Sequence, residues 1–475
     1  MIGRLTGIWL LAGALLLGAA PADAATRSQK ITLSVNRTTV VCGGTITLTG
    51  TTKPVARKRT VQIQQRYTDS PTWRTVKRVT TSSKGTFSTK LTLTSTRPSY
   101  FRVYLPARAG YKKAYSSRTA RITVQPKPQP ASPGLQAVSL GIENIVNPQD
   151  WDALRRQLDA SRSNTVHLAA GRVEWTAFDW PAHPEVAAEP GTDHLARAIT
   201  ELGTMPDGTP RRIDLLIDAL VPAWIERDPS IAGRGTDGKP ARYLASATAL
   251  HEGPVGDRFV ELARELALRY KPDQITFTEL MFDDETFGSD DLALYRRMTG
   301  EADWPRTDSG RVDEDSPKIG AWRSQVLTGL LSRVRQALDE VTGQVGHRVQ
   351  LAQDVQVNWD EPGAGRPDAG HDYAALWQVV DRVVPWVYFD GGGRELADVT
   401  RLVAGLAAAA PGTDRYTISI GLWGPEGSPV ITPSLMAESL RAARLAKATS
   451  LNVTPVSLMT AEHWSALGGV WTPAP

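Results

Sequence analysis

QITFTELMFDDETFG, residues 274–288, opens as a run of β-branched and aromatic residues and closes on Glu279, Asp283, Asp284 and Glu285. A carboxylate just past a buried strand is costly unless it finds a partner or shifts its pKa. The surrounding pattern supplies a reason for it. From residue 135 onward, apolar strands alternate with helices of 3.6 periodicity; the strands read AVSLGI, TVHLAAG, RIDLLIDAL, QITFTEL, RVQLAQDV, VVPWVYFD, YTISIGLW and SLNVTPVSLM. Eight such repeats predict a (β/α)8 TIM barrel over 135–475. An open doubly wound sheet fits less well, because no G-x-G-x-x-G or Walker sequence follows the first strand. YAALWQVVDRV, from Tyr373, reads as one of the helices.

In a barrel of this kind chemistry sits at the C-terminal strand ends. Period two places Ile275, Phe277 and Glu279 on one face, the parity that lets Glu279 look into the barrel mouth. Acids and aromatics recur at the other strand ends: Glu143, Arg172 with Glu174 and Trp175, Asp218 with Trp224, Asp354, Trp386 with Tyr388 and Asp390, and Trp423 with Glu426. Pyranose faces stack on Trp and Tyr while hydroxyls bond carboxylates and Arg, so this is the composition of a sugar site.

Glycoside hydrolysis needs a protonated carboxyl and a second carboxylate. Glu279 is the candidate acid, a Glu paired with a loop Arg being the plainer alternative. Asp390 leads as its partner, because it ends an apolar strand beside Tyr388 and precedes glycines; Asp354 follows. Glu143, Arg172, Trp175, Asp218, Trp224, Asp283, Trp386, Tyr388 and Trp423 are the candidate substrate-binding residues. His167 reads as a satisfied interior residue, whereas His251 lies in a long loop that could reach the site. No cluster has metal-ligand spacing, no cofactor motif is present, and no Gly-x-Ser-x-Gly elbow supports a serine esterase.

The 475 residues exceed one ordinary core, and charge divides them. Residues 26–134 hold 21 Lys and Arg against one acid, Asp69, for a net +20, whereas 135–475 carry −16. The basic part reads as about seven short alternating strands in roughly a hundred residues, which predicts an all-β Ig-like sandwich over 28–126. Trp73 and Tyr100 within it read as core or strand-surface aromatics. A field of this size attracts polyanions, making an anionic envelope polymer a candidate partner; a merely solvated basic surface is the alternative. KPQPASPG, 127–134, is a Pro-rich linker. Residues 1–25 have the form of a signal peptide, cut near Ala24 or Ala25, and no later run spans a membrane. The expectation is a secreted protein, extracellular or cell-wall associated, with no nucleic-acid partner. The lone cysteine, Cys42, cannot form an internal disulfide and reads as a small core residue.

QITFTELMFDD, KIGAWRSQVLTGLLSRVRQAL and DRVVPWVYFDGGG together resemble the bacterial glycoside-hydrolase-like TIM-barrel proteins, relatives of family 10 glycosyl hydrolases. The basic segment resembles bacterial Ig-like modules. The barrel resemblance implies a secreted glycosidase acting on a polysaccharide or cell-wall glycan, with Glu279, Tyr388 and Asp390 around the pocket. The chain lacks the Asp-x-x-Asp-x-Asp-x-Glu run of chitinase-type barrels, so mechanistic class does not carry over. The alternative is a non-catalytic carbohydrate-binding or envelope-structural protein on the same scaffold.

Overall fold

The computed structural model describes residues 27–41, 44–68, 71–93, 99–117, 119–125, 134–426 and 430–471. The expected leader, Cys42, and all but the last residue of the expected linker lie outside them. Eight strands form the barrel: β1 (Gln136–Leu140), β2 (Thr165–Arg172), β3 (Arg212–Asp218), β4 (Gln274–Thr278), β5 (Gln350–Val355), β6 (Arg382–Val387), β7 (Ile418–Gly421) and β8 (Leu451–Thr454). Each runs parallel to its neighbours, and β1 pairs with both β2 and β8, so the sheet closes on itself. Long helices such as Pro254–Tyr270 and Pro317–Val345 return the chain between strands. The helix expected from Tyr373 stops at Leu376. Arg415 accounts for this: its Nη2 donates to the carbonyls of Trp377 and Val380 and its Nε to that of Asp381, drawing the chain straight into β6.

The faces of the strands correct the parity argument for β4. Ile275 and Phe277 point out to the helices, with the Phe277 ring 5.6 Å from that of Phe259 on Pro254–Tyr270. Gln274 and Thr276 point inward and are bonded to each other at 2.9 Å. The same alternation holds around the barrel: Val138, Val166, Leu215, Leu351, Val383, Ile418 and Val453 join the outer apolar core, while the interior is polar. Inside, Arg212 Nε lies 2.9 Å from Asp214 Oδ1 and Arg212 Nη2 donates to Gln350 at 2.7 Å. His167 Nε2 lies 3.3 Å from Asp214 Oδ2, and Ser139, Asn452 and Ser419 complete the network. Burial pushes Asp214 up, but Arg212, the His167 bond and Arg382 together pull its carboxyl below its ordinary value. Apolar side chains on both faces would have left the parity unreadable; here the helices take the apolar face and the lumen takes the rest.

Two inserted segments build the rim between β3 and β4. A hairpin, Ala232–Arg234 with Pro240–Ala245, follows β3. Phe287, past β4, donates its N–H to the Arg234 carbonyl at 2.7 Å. Arg323 on Pro317–Val345 donates to Thr286 Oγ1 at 2.9 and 2.8 Å. Asp291 on the helix Ser289–Thr299 accepts from Thr248 N and Oγ1 at 2.8 and 3.0 Å.

Before residue 126 the chain forms two sheets with their own apolar core, among them Ile46, Leu48, Val61, Ile63, Phe101, Val103 and Ile122. One sheet holds Lys30–Ile31, Ser34–Val35, Thr45–Lys53 and Thr86–Thr92; the other holds Thr39–Val41, Thr60–Tyr67, Arg74–Thr80, Ser99–Leu105, Ala114–Tyr115 and Ala120–Gln125. KITLSVNRTTV, residues 30–40, whose alternation predicts one continuous strand, is split into three short pieces, with the Asn36 side chain accepting from Thr47 N at 2.7 Å at one break.

Breaking a buried ion pair by removing one partner leaves the other charge uncompensated. Asp214→Ala is therefore expected to destabilise the barrel by about 3–5 kcal/mol, read as a fall in the denaturant midpoint of the barrel transition.

Candidate active site at the barrel mouth

The mouth is organised by the backbone at Glu279. β4 ends at Thr278, and Glu279 adopts φ +57°, a left-handed conformation that costs a non-glycine residue about 1–2 kcal/mol. The turn is pinned on its far side. The Leu280 carbonyl accepts from Gln353 Nε2 and from His371 Nε2, both at 3.0 Å. His371 Nδ1 in turn accepts from Gln356 N at 3.1 Å, which fixes the neutral tautomer with the proton on Nε2. Burial agrees, pushing His371 down to about 4. The left-handed residue, rather than strand alternation, turns Glu279 toward the acids of β3 and β5.

Burial pushes Glu279 up to about 7, and Asp218, Asp354 and Asp283 add to the effect while Arg172 opposes it. Asp354, on the inward face of β5, is raised by burial to about 6, although it accepts from Trp386 Nε1 at 3.3 Å and from Thr278. Asp218 is likewise raised by burial. Its Oδ2 receives Arg172 Nε at 2.8 Å and Nη2 at 2.7 Å, and its Oδ1 receives Leu220 N at 2.9 Å. Arg172 reaches that position because β2 bulges between Ala169 and Gly171 and folds back as a tight hairpin. Gly171 has φ +121°, and a Cβ there would lie 2.3 Å from the Trp175 carbonyl oxygen, so only glycine fits.

An aromatic wall covers the β6–β7 side. The Trp386 and Tyr388 rings stack at 6.0 Å and 13°, and Trp423 packs on Tyr388 at 4.8 Å and 59°. Gly421 makes room, since a Cβ there would meet the Tyr388 ring at 2.1 Å. Burial, with Asp354 and Glu279 nearby, pushes the Tyr388 phenol up, so it stands as a neutral donor. Trp423 is 42% exposed and Trp175, on the hairpin beyond β2, 37%, as side chains open to a ligand would be.

The other sequence-derived candidates are placed differently. Asp390 is half-buried in the turn after β6, its carbonyl accepting from Gly393 N at 3.0 Å, and it is not among the charges that chiefly shift Glu279. Asp354 is the carboxylate brought to Glu279 from that side of the barrel. Trp224 packs against the barrel core with the Arg258 guanidinium 5.2 Å over its ring, and Glu174 caps its helix by accepting from Ala223 N and Trp224 N. Glu143 is exposed on the short helix Ile142–Val146 after β1. Asp283 is exposed on the β4 loop, and Glu426 is exposed beyond Trp423. His251 is buried on the helix Ala247–His251, its carbonyl accepting from Arg333. Thr278, Gln353 and His371 were not singled out in the sequence. Thr278 lies inside the quoted strand on the parity of Gln274 and Thr276, the set that the alternation from Ile275 to Glu279 turned away from the mouth; His371 gives no local signal, being 91 residues from the carbonyl it holds.

The arrangement offers one carboxyl that keeps its proton to near neutrality, two neighbouring carboxylates, one guanidinium and a wall of rings. No group of three or more His, Cys, Asp or Glu among the described residues has metal-site geometry. Because the folded state favours protonated Glu279, wild-type stability falls as pH rises from about 4.5 through about 7. Glu279→Gln, which has no charge to bury, is expected to raise Tm over wild type at pH 8 by about 2 °C or more and to leave it unchanged at pH 4. Differential scanning calorimetry at the two pH values checks this.

No family model matches the chain, and no curated protein matches it in sequence. Among solved structures it is similar to the PgaB (BpsB) glycoside hydrolase domain from Bordetella bronchiseptica, with a TM-score of 0.54 and 16% identity, over 72% of this chain and 100% of that one. It also matches the spore cortex-lytic enzyme SleL of Bacillus cereus, with a TM-score of 0.41 and 11% identity over 74% of this chain and 77% of that one. A third match is the catalytic domain of a hyperthermophilic chitinase from Pyrococcus furiosus, with a TM-score of 0.36 and 12% identity over 72% and 95%. The first likeness establishes a shared barrel fold; the other two are too distant to add to it.

Proposed function

We propose that this chain is a secreted glycoside hydrolase acting on a polysaccharide or cell-envelope glycan, with Glu279 as proton donor and Asp354 as the second carboxylate. The observation that carries the reading is the pair itself: burial raises both Glu279 and Asp354, the Asp354 charge raises Glu279 further, and Asp354 accepts bonds from Trp386 and Thr278 that favour its ionised form, so the proton stays with Glu279. Glycoside hydrolysis requires that division of protonation between two facing carboxyl groups. Asp354 then acts as nucleophile or as base on water, Arg172 holds Asp218 in place, and Trp386, Tyr388 and Trp423 form a stacking surface for pyranose rings. The fold shared with a glycoside hydrolase domain is consistent with this assignment. The acidic field of residues 135–475 favours a neutral or cationic glycan over a polyanion. In the same proposal, the N-terminal two-sheet body is an Ig-like module that keeps the barrel at the cell envelope.

Activity needs Asp354 ionised and Glu279 protonated, so it is lost as pH falls through about 6 and as pH rises through about 7. The expected kcat/KM profile is a narrow bell between those limbs, which belong to the coupled pair. Glu279→Gln and Asp354→Asn should each lower kcat by about 10²- to 10⁴-fold, with glycan affinity nearly kept. Asp390→Asn should stay within about threefold of wild type. Release of reducing ends from a panel of neutral and partly deacetylated polysaccharides measures all three. Binding without release across the panel would leave a carbohydrate-binding protein in place of an enzyme.

A further inference from the structure

We propose that the outer face of the larger N-terminal sheet is a binding site for an acidic polysaccharide, centred on Arg102. Along Ser99–Leu105 the inward residues Phe101, Val103 and Leu105 are fully buried, whereas Tyr100, Arg102 and Tyr104 alternate on the other face. There the side chains form a ladder of cations and rings. The Arg102 guanidinium carbon lies 4.2 Å from the Trp73 ring centroid and 4.3 Å from that of Tyr115. The Arg66 guanidinium carbon lies 5.5 Å from Trp73 and 5.2 Å from Tyr100, and Tyr104 packs on Tyr115 at 5.0 Å. Arg66 sits opposite Tyr100 and Arg102 opposite Gln64 in the strand register, so the two cations lie on a diagonal of adjacent strands, about 7–8 Å apart at the backbone.

The ladder does more than bury rings. Arg102 Nε donates to Gln64 Oε1 at 2.8 Å, which fixes the plane of the fork. The four N–H donors of its two Nη groups then form a pre-oriented edge suited to a carboxylate, sulfate or phosphate. Residues 26–134 hold one acid against 21 Lys and Arg, so an incoming anion meets almost no competing carboxylate in that segment. Exposed Arg78 flanks the ladder on the next strand, in register with Gln62 and Tyr104. Single-stranded nucleic acid is the less favoured polyanion, because it binds by stacking bases on open ring faces, and Trp73 and Tyr115 already carry guanidinium groups. The choice of a sugar polymer rests on the glycosidase reading of the barrel.

The test measures binding of the whole secreted chain at low salt to polygalacturonate and to dextran sulfate, with oligothymidylate as the nucleic-acid arm. These two polymers separate carboxylate from sulfate recognition, and binding is read without turnover, so a failed hydrolysis assay leaves the result intact. Arg102→Lys keeps the charge and loses the planar fork, and is expected to weaken binding about tenfold. Tyr115→Ala, at an exposed ring, should weaken it about threefold by loosening the guanidinium. Lys84→Gln, on an exposed turn between two strands of the N-terminal body, should change it less than twofold or so, the effect of one charge in a diffuse field. Thermal melts matching wild type confirm that each variant folds. The proposal is overturned by wild type that binds neither polymer, by Arg102→Lys binding like wild type, by Lys84→Gln weakening binding as much as Arg102→Lys, or by tighter binding of oligothymidylate than of either polysaccharide.

Discussion

The left-handed turn at Glu279 is the constraint on which the mouth depends. A glutamate at φ +57° does not hold that conformation unaided, and the compensation comes from two side chains distant in sequence that converge on the next carbonyl. Gln353 comes from β5, the strand that also carries Asp354, so one strand both fixes the turn and supplies the facing carboxylate. His371 serves because burial keeps it neutral; a protonated ring there would place a cation among groups whose acidity depends on the balance of nearby charge. Geometry and electrostatics at Glu279 therefore share the same supports.

The barrel interior and its mouth use burial in opposite ways. Below, Asp214 is enclosed yet stays ionised because Arg212, His167 and Arg382 surround it. Above, Arg172 opposes the rise at Glu279 and Asp218, Asp354 has hydrogen bonds from Trp386 and Thr278 instead, and all three are raised. Proton affinity along this axis of the barrel is thus set by the supply of guanidinium groups, with desolvation common to both levels.

The closed eight-stranded barrel was legible because its strands are apolar on the helix-facing side and recur with regular spacing. Glu279 was also legible as a strand-end acid, but for an incomplete reason: alternation carried on from Ile275 and Phe277 would have sent it outward, and the backbone turn reverses that. Asp354 ranked below Asp390 because sequence shows where a strand ends without showing how far the chain twists before the side chain leaves it. Trp224 looked like a subsite residue for the same reason, yet a single helical turn takes it back against the core and Arg258. The charge of the N-terminal segment could be counted in the sequence; the pairing of Arg102 with Trp73 and Tyr115 joins three strand regions and needs the sheet to be seen.

The bonds that tie the hairpin after β3 to the segment after β4 bear on how a long chain could reach the carboxylates. Arg234 pairs with Thr286 and Phe287 to link the two inserts, Arg323 holds Thr286 from the helix behind, and Thr248 and Asp291 fasten the inserts again farther out. That side of the rim therefore behaves as a fixed wall, since neither insert can swing without dragging the other. The opposite side has the glycines after Asp390, the exposed Trp423, and the Arg394 guanidinium 5.7 Å over the Trp359 ring. A polymer entering the mouth would have its lane of approach across β6 and β7 and its end-stop against β3 and β4, which gives the cleft a direction.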